Sequence, residues 1–370
     1  MRIYQKIVDA RTDILTLSQL FPLTPIAKRH SGNVKRKGSM NQMTNWKKLH
    51  GEFFRGQRVL VTGGAGFIGS HITEALVALG ADVVVVDDLS GGTWDNLKGF
   101  GDGVTKITAS ILDGDAMDGA VKGCRYIFHE AALASVPQSV AEPVRFYQVN
   151  TIGTLTLMQA ARMGNVERVI YAGSSSAYGD SPDESPKTED MAALPVSPYA
   201  SSKLAGEQIM RAWARSYGLD TAVVRYFNIF GPRQNANSAY AAVIAAFAKI
   251  LAEGGTPVIH GDGGQTRDFV YVHNVVHANL LAARCPRQLG GEIFNVGTGH
   301  SITVKELYHQ TAAAMGFGSK QPIYSSPREG DVRHSSADIS KARRELGYEP
   351  IVSFDAGLEP TIAWYRSVLK

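Results

Sequence analysis

A tyrosine and a lysine one helical turn apart are the residues of this sequence best suited to proton transfer. Tyr199 and Lys203 lie in the stretch SPYASSK, where Ser197 followed by Pro198 predicts the start of a helix. On that helix the two side chains share one face. A phenol has an ordinary pKa of about 10 and is a weak base at neutral pH. A lysine ammonium one turn away favours the phenolate, which could take a proton from a substrate hydroxyl.

Three serines precede this pair in the chain. Ser174, Ser175 and Ser176 follow the apolar run Arg168–Ala172, which is predicted to be a buried strand. A hydroxyl at the end of such a strand lies at the edge where ligands bind in open α/β sheets. There it could hold a substrate oxygen while that oxygen becomes a carbonyl. Many helices carry Tyr-x-x-x-Lys by chance, so the meaning of the pair depends on the surrounding elements.

A glycine-rich turn supplies that context. Arg58–Val61 reads as a short buried strand, and the amphipathic run Ser70–Leu79 predicts a helix. Between them lie three glycines spaced G-x-x-G-x-x-G, which are Gly63, Gly66 and Gly69. Glycine allows a sharp turn and a close approach of the backbone to a pyrophosphate, and a helix N-terminus offers N–H groups to the phosphates. The pattern predicts a dinucleotide-binding turn, with a structural turn as the alternative.

An acid at the end of the next predicted strand narrows the choice of dinucleotide. The run Asp82–Val86 leads into Asp87 and Asp88. A carboxylate in the position of Asp87 can accept hydrogen bonds from both hydroxyls of an adenosine ribose, and it repels a 2′-phosphate. This residue therefore predicts NAD as the cofactor in preference to NADP. The alternative is an acid in a surface turn.

Strands and helices alternate along the first two thirds of the chain. Between the predicted strands lie stretches with helical spacing of apolar residues, such as Phe146–Met163. The further predicted strands are Val104–Ile107, Tyr126–His129, Arg168–Ala172 and Thr221–Tyr226. This alternation predicts an α/β fold with a Rossmann-type, doubly wound parallel sheet. Beyond Asn228 the elements are shorter and indicate a smaller mixed α/β lobe that binds the substrate.

Charge divides the chain into a basic start and a mildly acidic body. Residues 1–57 contain 11 Lys/Arg and 3 Asp/Glu, a net charge of +8, whereas the other residues contain 27 and 31, a net charge of −4. We therefore expect a basic, disordered leader, with Met40 and Met43 as plausible starts of translation. The predicted segments are the leader (1–56), the NAD-binding domain (57–227, with 266–285 returning to it) and the substrate-binding lobe (228–370).

Composition argues against several classes of protein. No apolar run reaches the ~18 residues that cross a bilayer, and the acidic body shows no basic face for nucleic acid, so neither a membrane nor a nucleic acid is expected as a partner. Cys124 and Cys285 form no pattern, which fits a reducing cytoplasm. His273 and His277 have the spacing of a helical metal site, but without a third ligand we expect no metal.

Several motifs in one order resemble the extended short-chain dehydrogenases/reductases, in particular the UDP-sugar 4-epimerases. The resemblance runs from about Arg58 to the C-terminus. It rests on the segments TGGAGFIGSH, HEAALASVP, SSSAYG, SPYASSK, RYFNIFGPRQ, TRDFVYV and REGDVRHSSADIS. It implies that hydride passes from sugar C4 to NAD and returns to the other face of a 4-keto intermediate. It also implies polysaccharide biosynthesis as the setting.

The resemblance implies roles for individual residues. Tyr199 is expected to be the base, Lys203 its tuner and a ribose contact, and Ser174 the hydroxyl that binds O4. NAD contacts are implied at Gly63, Gly66, Phe67, Ile68, Gly69, Asp87, Ile111, Ala131 and Lys203. UDP-sugar contacts are implied at Ser135, Ser175, Ser176, Asn228, Gln234, Ala242, Arg267, Arg328, Asp331 and Ser335. Arg267 and Arg328 would bind the pyrophosphate, because a guanidinium fork suits two phosphate oxygens.

Two places bear on the reaction and the sugar. Sister dehydratases carry Asp-Glu after the strand-end hydroxyl residue, whereas this chain has Ser175 and Ser176; the missing acid favours epimerisation. In the family, a residue just before the final Ala-Asp-x-Ser limits the space for the sugar, and Ser335 leaves room for an N-acetyl group. We expect UDP-GlcNAc/UDP-GalNAc interconversion, as in bacterial UDP-N-acetylglucosamine 4-epimerases. The alternatives are UDP-glucose/UDP-galactose, or a non-epimerising dehydratase or reductase.

Two positions depart from the family pattern. Ser110 stands where many relatives have an aspartate that contacts adenine, so adenine would be held more weakly or through the backbone of Ile111. Ala134 replaces a glycine near the sugar site. Relatives are often homodimers joined by two helices from each subunit, for which Phe146–Met163 and Ser201–Tyr217 are the candidates here.

Overall fold

The computed structural model describes residues 44–180, 185–236, 243–327 and 333–369. Most of the predicted leader therefore lies outside the described residues. So do three of the predicted substrate contacts, which are Ala242, Arg328 and Asp331.

Helices and strands alternate from Arg58 onward, as the sequence predicts. The strands are β1 (Arg58–Thr62), β2 (Asp82–Asp87), β3 (Val104–Thr108), β4 (Tyr126–His129), β5 (Arg168–Ser174), β6 (Asp220–Tyr226), β7 (Asn228–Phe230), β8 (Val258–His260), β9 (Thr266–Arg267), β10 (Phe269–Tyr271), β11 (Glu292–Val296), β12 (Ile302–Thr303), β13 (Ile323–Ser325) and β14 (His334–Ser335). The helices are α1 (Trp46–His50), α2 (Phe67–Ala78), α3 (Gly114–Ala120), α4 (Val136–Ala141), α5 (Pro143–Tyr147), α6 (Thr154–Met163), α7 (Pro198–Tyr217), α8 (Val243–Ala252), α9 (Val272–Arg284), α10 (Val304–Ala314), α11 (Ser340–Leu346) and α12 (Phe354–Val368).

Seven strands form one sheet in the order β11-β6-β5-β4-β1-β2-β3. All neighbouring strands in it are parallel. The direction of strand order reverses between β1 and β4, so a crevice opens there at the carboxyl ends of the strands. Strand β11 was predicted to belong to the smaller lobe, but it pairs with β6. The segment that returns to the sheet is therefore 272–296 rather than 266–285.

Apolar cores cover both faces of this sheet, which confirms the doubly wound fold. One core lies under α2 and α9, and the other under α3, α6 and α7. A third core fills the smaller lobe between α8, α10 and α12. Representative buried side chains of the three cores are Leu76 and Leu280, Met117 and Met210, and Phe247 and Ile362.

Residues 44–56 belong to the folded body, which corrects the predicted end of the leader at residue 56. Helix α1 begins after Asn45, whose side chain accepts a hydrogen bond from Lys48 N. Trp46 is 6% exposed and Phe54 is fully buried, and both pack in the core under α2 and α9. The sequence alone did not predict this packing, because the segment is short and basic and its apolar partners lie far along the chain.

The stretch predicted as one helix, Phe146–Met163, contains a π-helical segment between α5 and α6, Gln148–Gly153. A π segment widens the turn and shifts the faces of the helix relative to each other. Ile152, which the 3.6-residue period places with buried Phe146, is therefore 49% exposed. Two smaller differences concern α2, which begins at Phe67 rather than Ser70, and α12, which the sequence pattern did not predict.

Candidate active site

The glycine turn joins β1 to α2 at the crevice of the sheet. Gly63 has a φ of +66°, and a Cβ there would lie 2.7 Å from the backbone N of Ala131, which follows β4. A Cβ at Gly69 would lie 2.2 Å from the carbonyl oxygen of Gly63. Gly66 caps α2 without a side-chain hydrogen bond, so the first N–H groups of the helix point toward the turn. This cradle is lined by backbone atoms, and side chains at Gly63 or Gly69 would not fit in it. It therefore suits a dinucleotide pyrophosphate.

Asp87 lies at the end of β2, beside this turn, as predicted. One carboxylate oxygen accepts a hydrogen bond from Ala65 N (2.9 Å), and the other accepts one from Leu89 N (2.8 Å). Burial raises the pKa of Asp87, and the hydrogen bonds from backbone N–H groups oppose that shift. The carboxylate thus holds the glycine turn in shape at the place where a ribose hydroxyl is expected.

The segment after β2 covers the turn, which sequence reasoning missed. Thr93 N and the side-chain amide of Asn96 both donate to the carbonyl oxygen of Ala65, at 3.0 and 2.9 Å. The signal that could have found this contact is the Gly91-Gly92 pair, because a Cβ at Gly92 would lie 2.7 Å from the backbone of Ala65.

Tyr199 and Ser174 meet above the carboxyl ends of the strands. Ser197 caps α7 by accepting a hydrogen bond from Ala200 N (3.1 Å), as predicted. The Ser174 hydroxyl contacts that of Ser176 (2.8 Å). Burial raises the pKa of Tyr199, and the hydrogen bond with Ser174 opposes this shift only in part. This differs from the lowered value expected from the spacing of the pair, because the protein encloses the phenol.

Lys203 is buried on the next turn of α7. Its side chain is 3% exposed, and its Nζ lies 4.4 Å from the centroid of the Tyr171 ring. Burial lowers the pKa of Lys203 to about 8, and the negative charges of Glu130 and Glu207 oppose that shift. The ammonium form is therefore held against desolvation by two carboxylates.

Glu130 is a titratable group of the site that sequence reasoning missed. Its Oε1 accepts a hydrogen bond from the Tyr226 hydroxyl (2.7 Å), which in turn accepts one from Asn279 Nδ2 (2.8 Å). Burial raises the pKa of Glu130 to about 7. The signal was present in the segment HEAALASVP, where the acid directly follows a predicted strand.

Buried polar contacts fix the elements that carry these side chains. Asn150, in the π-helical segment, accepts a hydrogen bond from Leu133 N (2.8 Å), and its amide donates to the carbonyl of Leu133 and to Ser202 Oγ (both 3.0 Å). Glu207 and Arg225 form a bidentate ion pair with N–O distances of 2.9 and 2.7 Å. The first contact ties the loop after β4 to α7, and the second ties α7 to β6.

A second region of the site is a cavity of about 550 Å³ in the smaller lobe. It brings together Asn228, Gln234 and Arg267, three of the residues predicted to bind the substrate. Gln234 donates from Nε2 to the carbonyl of Ile229 (3.0 Å), while its buried Oε1 has no hydrogen-bond partner among the described residues. The remaining lining is mostly apolar and includes Val243, Ile244, Phe247, Ile250, Ile259 and Phe269. A few polar groups in an apolar cavity are typical of a small-molecule site.

Ser335 is the strand partner of Arg267, which lines this cavity, because β14 pairs with β9. Two other predicted residues have local structural contacts. Ser135 caps α4 by accepting from Gln138 N (3.2 Å), and the Ile111 side chain is buried in the core against Gly153. Ile111 can therefore reach a cofactor only through its backbone, one of the two possibilities raised by Ser110.

The cofactor region and the cavity are joined by a clasp of His71, Glu74 and Arg233. His71 Nε2 hydrogen-bonds the carbonyl of Pro232 (3.0 Å), and the Arg233 guanidinium pairs with Glu74 (2.5 Å). Arg233 has a φ of +68°, which is uncommon for a residue with a side chain. The loop after β7 is thus fixed to α2, the helix of the glycine turn.

The other histidines of this area contact the N-terminal segment. His273 hydrogen-bonds the Thr44 hydroxyl (2.8 Å), and His277 Nδ1 lies 3.0 Å from His50 Nε2. In the described parts of the chain, no three His, Cys, Asp or Glu side chains come together in a group that could hold a metal ion. Within those same parts, every helix is too short or too polar to cross a membrane.

Comparison with known proteins shows which family the chain resembles. Residues 59–297 match the NAD dependent epimerase/dehydratase family. A UDP-glucose 4-epimerase of Mycolicibacterium smegmatis is 39% identical over 314 residues, which are 84% of this chain and 99% of that protein. The structure of the UDP-N-acetylglucosamine 4-epimerase from Methanobrevibacter ruminantium, in complex with UDP-N-acetylmuramic acid, is 40% identical, with a TM-score of 0.81 over 85% of this chain and 99% of that one. The Thermotoga maritima UDP-glucose 4-epimerase with UDP-glucose is 40% identical, with a TM-score of 0.80 over 85% of this chain and 100% of that one.

Proposed function

The chain belongs to the NAD-dependent epimerase/dehydratase family, and we propose that within this family it interconverts UDP-GlcNAc and UDP-GalNAc. The family and its relatives identify an NAD-dependent UDP-sugar 4-epimerase of the extended short-chain dehydrogenase/reductase type. The identity of the sugar is the part that we propose.

One observation supports the C4 chemistry: Ser174 ends β5 and Tyr199 and Lys203 lie on α7, at the carboxyl edge of the sheet beside the glycine turn. NAD, when bound in the glycine cradle, supplies an acceptor that can take a hydride and give it back. Tyr199 would take the proton of the sugar 4-hydroxyl, and Ser174 would hold that oxygen as it becomes a carbonyl. The charge of Lys203 would favour the phenolate of Tyr199.

The residues after Ser174 favour epimerisation over elimination. Ser175 and Ser176 form the start of a short 3₁₀ turn, and Ser176 hydrogen-bonds Ser174. A dehydratase needs an acid and a base to remove water across C5 and C6. Serine hydroxyls are poor substitutes for a carboxyl group in that role, because they neither release nor take up a proton readily near neutral pH.

The choice of sugar rests on space near the cavity. The side chain at position 335 is small, and its strand partner is Arg267, which we propose to bind the pyrophosphate. A serine at this position leaves volume for an N-acetyl group on either orientation of the keto sugar. We propose contacts to the nucleotide sugar also from Asn228 and Gln234, which line the cavity.

The test is to offer UDP-GlcNAc, UDP-glucose and UDP-glucuronate separately to the purified protein, with and without NAD, and to determine the C4 configuration by proton NMR. We expect UDP-GalNAc to form from UDP-GlcNAc at the highest kcat/KM, with no net consumption of NAD. A clear preference for UDP-glucose would contradict the proposed sugar. Failure to turn over any of them with NAD present would contradict the proposed activity.

We also propose that the enzyme is a cytoplasmic homodimer. Both cysteines are free and buried, which fits a reducing cytoplasm. The dimer is suggested by apolar side chains that are exposed along α4 to α6. The exposed apolar residues of this surface are Val136, Val140, Val144, Tyr147, Ile152 and Met163. Pairing such a surface with a second copy would remove it from water. Sedimentation analysis should give twice the chain mass of 39.9 kDa, and a monomer at micromolar concentration would contradict the dimer.

A further inference from the structure

We propose that Arg233 is a positioning residue for the substrate cavity. Its ion pair with Glu74 on α2 holds the backbone of the loop after β7 in a left-handed conformation, which places the next residue, Gln234, against the cavity. The inference rests on the proposed function, because it takes the cavity to be the site of the UDP-sugar. It goes beyond that function, because it lets two residues outside the cavity set the affinity for the sugar nucleotide.

The backbone of Arg233 adopts a conformation that is rare for a residue with a side chain. Its φ is +68°, and in the described part of the chain it shares a positive φ with just two other residues that are not glycine, Leu89 and Asn165. In this region the Cβ is crowded by the carbonyl oxygen that follows it. The surrounding contacts must therefore hold Arg233 in place, since a free loop would relax to a negative φ.

The side chain of Arg233 supplies such contacts with α2. Its Nη2 donates to Glu74 Oε2 (2.5 Å), and its Nη1 donates to Ser70 Oγ (3.3 Å). The arginine side chain is 11% exposed, and that of Glu74 is 36% exposed. A charge-assisted hydrogen bond that is largely shielded from water is stronger than one on an open surface. The pair can therefore offset the cost of the left-handed backbone.

The residue before Arg233 is fastened to the same helix. The carbonyl oxygen of Pro232 accepts a hydrogen bond from His71 Nε2 (3.0 Å). A carbonyl oxygen has no proton to donate, so the ring carries its proton on Nε2. Burial lowers the pKa of His71 well below its usual range, so the ring is neutral and adds no charge beside the Arg233 guanidinium. Two consecutive residues of the loop are thus bound to α2.

The residue after Arg233 is bound to the smaller lobe instead. The backbone carbonyl of Gln234 accepts a hydrogen bond from the Tyr365 hydroxyl on α12 (3.2 Å), and its Nε2 donates to Ile229 on β7. Its Oε1 is buried and has no partner among the described residues, so it is available to a hydrogen-bond donor of the ligand. The peptide between Arg233 and Gln234 therefore joins α2 to the wall of the cavity.

The size of the backbone change shows why the ion pair matters for Gln234. Relaxation of Arg233 from +68° to the usual region at about −60° would turn the following chain by roughly 130°. The hydrogen bonds of Gln234 cannot both survive such a rotation, because Ile229 and Tyr365 lie on different elements. Loss of the tether to Glu74 should therefore move the free Oε1 away from the ligand. The glycine turn lies about two helical turns from Glu74 and should not be affected.

Substitutions at residue 233 separate the tether from the backbone strain. Arg233→Ala removes the tether and keeps the Cβ, so the loop should relax. Arg233→Gly also removes the tether, yet glycine adopts a positive φ without strain, so part of the native path should return. A residue that acts only through its charge or bulk would show the same loss in both variants. Affinity for the sugar nucleotide should therefore fall in the order wild type, Arg233→Gly, Arg233→Ala.

The first measurement is a calorimetric titration of UDP-GlcNAc into the protein with its bound NAD, in the Tyr199→Phe background so that turnover is negligible. Relative to that background, we expect Arg233→Ala and Glu74→Ala to weaken binding by about tenfold, the effect of one lost hydrogen bond, and Arg233→Gly to weaken it by less. NAD content should not change. The matched control is Asn165, which has a φ of +54° and lies away from the cavity. Its Ala and Gly variants should bind equally well.

The second measurement follows Gln234 itself and needs no substrate. In protein labelled with ¹⁵N-glutamine, the variant Gln234→Glu identifies the side-chain amide signal of this residue. We expect the signal to move toward the shifts of exposed glutamines in Arg233→Ala and Glu74→Ala, and to stay closer to the wild type in Arg233→Gly. Circular dichroism verifies the fold of each variant, and Glu74→Ala carries both measurements if Arg233→Ala does not fold.

The outcomes separate this inference from the proposed function. Unchanged affinity in folded Arg233→Ala, or in Glu74→Ala where only that variant folds, would overturn the inference, and so would equal losses in Arg233→Ala and Arg233→Gly. A fall in NAD content together with affinity would indicate a merely structural role for the pair and would also overturn it. A wild type that neither binds nor converts a UDP-sugar would contradict the proposed function. The Gln234 amide signal would then decide the positioning role, and an unmoved signal would overturn that role as well.

Discussion

The two ends of the candidate site are built from different parts of the chain. At the cofactor end, backbone atoms form the surface, and the contacts around Gly63 and Gly69 leave no room for side chains. At the cavity end, side chains form the surface, and Asn228, Gln234 and Arg267 project from short strands and a loop. The cofactor end depends on glycines, which have no side chains, whereas the cavity end depends on the side chains that line it.

This difference teaches which end of the site can change. A backbone cradle accepts one ligand shape and tolerates few substitutions, because every added carbon meets another backbone atom. A side-chain cavity can lose or gain a methyl group or a hydroxyl at a cost of about 1–3 kcal/mol. Substitutions at the cavity should therefore change substrate preference by degrees, whereas a substitution in the glycine turn should abolish cofactor binding.

The largest effect is expected at the cradle. Gly69→Ala would place a Cβ 2.2 Å from the Gly63 carbonyl oxygen, and neither backbone can move without distorting the turn. We expect loss of bound NAD and of all activity, measured by the absorbance of nucleotide released from denatured protein. The matched control is Gly119→Ala, on α3, where a Cβ meets nothing within 4 Å. Normal NAD content in Gly69→Ala would contradict the contrast between the two ends.

The next effect is expected where the two ends meet. Tyr199→Phe removes the proposed base and leaves the ring in place, so turnover should fall by roughly 10²–10⁴-fold while bound NAD stays. Single-turnover rates and NAD content measured on the same sample separate these effects. Tyr217→Phe, at the exposed end of the same helix, serves as the control. A Tyr199→Phe enzyme with the wild-type rate would exclude Tyr199 as the base.

A smaller effect is expected at the cavity. Ser335→Tyr adds a ring next to Arg267, so kcat/KM for UDP-GlcNAc should fall about tenfold more than that for UDP-glucose. The same substitution at exposed Ser367 on α12 should change neither value. Equal losses for the two sugars would mean that position 335 does not read the N-acetyl group. The cavity would then be no more adjustable than the cradle.

The smallest effect is expected from pH, and it should differ between the region of α1 and α9 and the smaller lobe. Burial lowers the pKa of both His273 and His277 to about 4, from 6.5. The unfolded chain binds more protons below pH 6.5, so these residues stabilise the fold above that pH, and the contribution is lost as pH falls toward 4. Roughly 1 kcal/mol per histidine should be lost by pH 5.5.

Hydrogen exchange measured at pH 7.0 and 5.5 checks this expectation. Protection should fall first in α1 and α9, which carry or contact these histidines, and later in α10 and α12 of the smaller lobe. His277→Asn should flatten the pH dependence of thermal unfolding. A loss of protection that is uniform along the chain would show that the histidines do not mark a weaker region.

Local patterns allowed much of the cofactor end to be predicted from the sequence. The glycine spacing, Asp87 and the Ser197 cap each depend on neighbours within a few positions, and all three lie where expected. The pairing of β11 with β6 could not be predicted, because a short apolar strand does not specify its partner. The π-helical segment also escaped prediction, since Asn150 stabilises it through Leu133, on the loop after β4.

Charge effects at the site were the least accessible to sequence reasoning. The one-turn spacing of Tyr199 and Lys203 predicts attraction, but burial of both groups shifts each pKa the other way. Burial of a side chain depends on the whole fold and leaves no mark on its neighbours in sequence. The same holds for Glu130, whose hydrogen-bond partner Tyr226 lies at the end of β6.

The docking of residues 44–56 has a consequence for the order in which the molecule can be assembled. Thr44 contacts His273, which lies 229 positions later in the chain, and His50 contacts His277, which lies 227 positions later. During synthesis Thr44, Trp46 and His50 leave the ribosome long before their partners on α9 exist, so Trp46 stays exposed until α9 has been made. Contacts this distant in sequence also slow folding. The earliest described residues of the chain are thus among the last to reach their native environment.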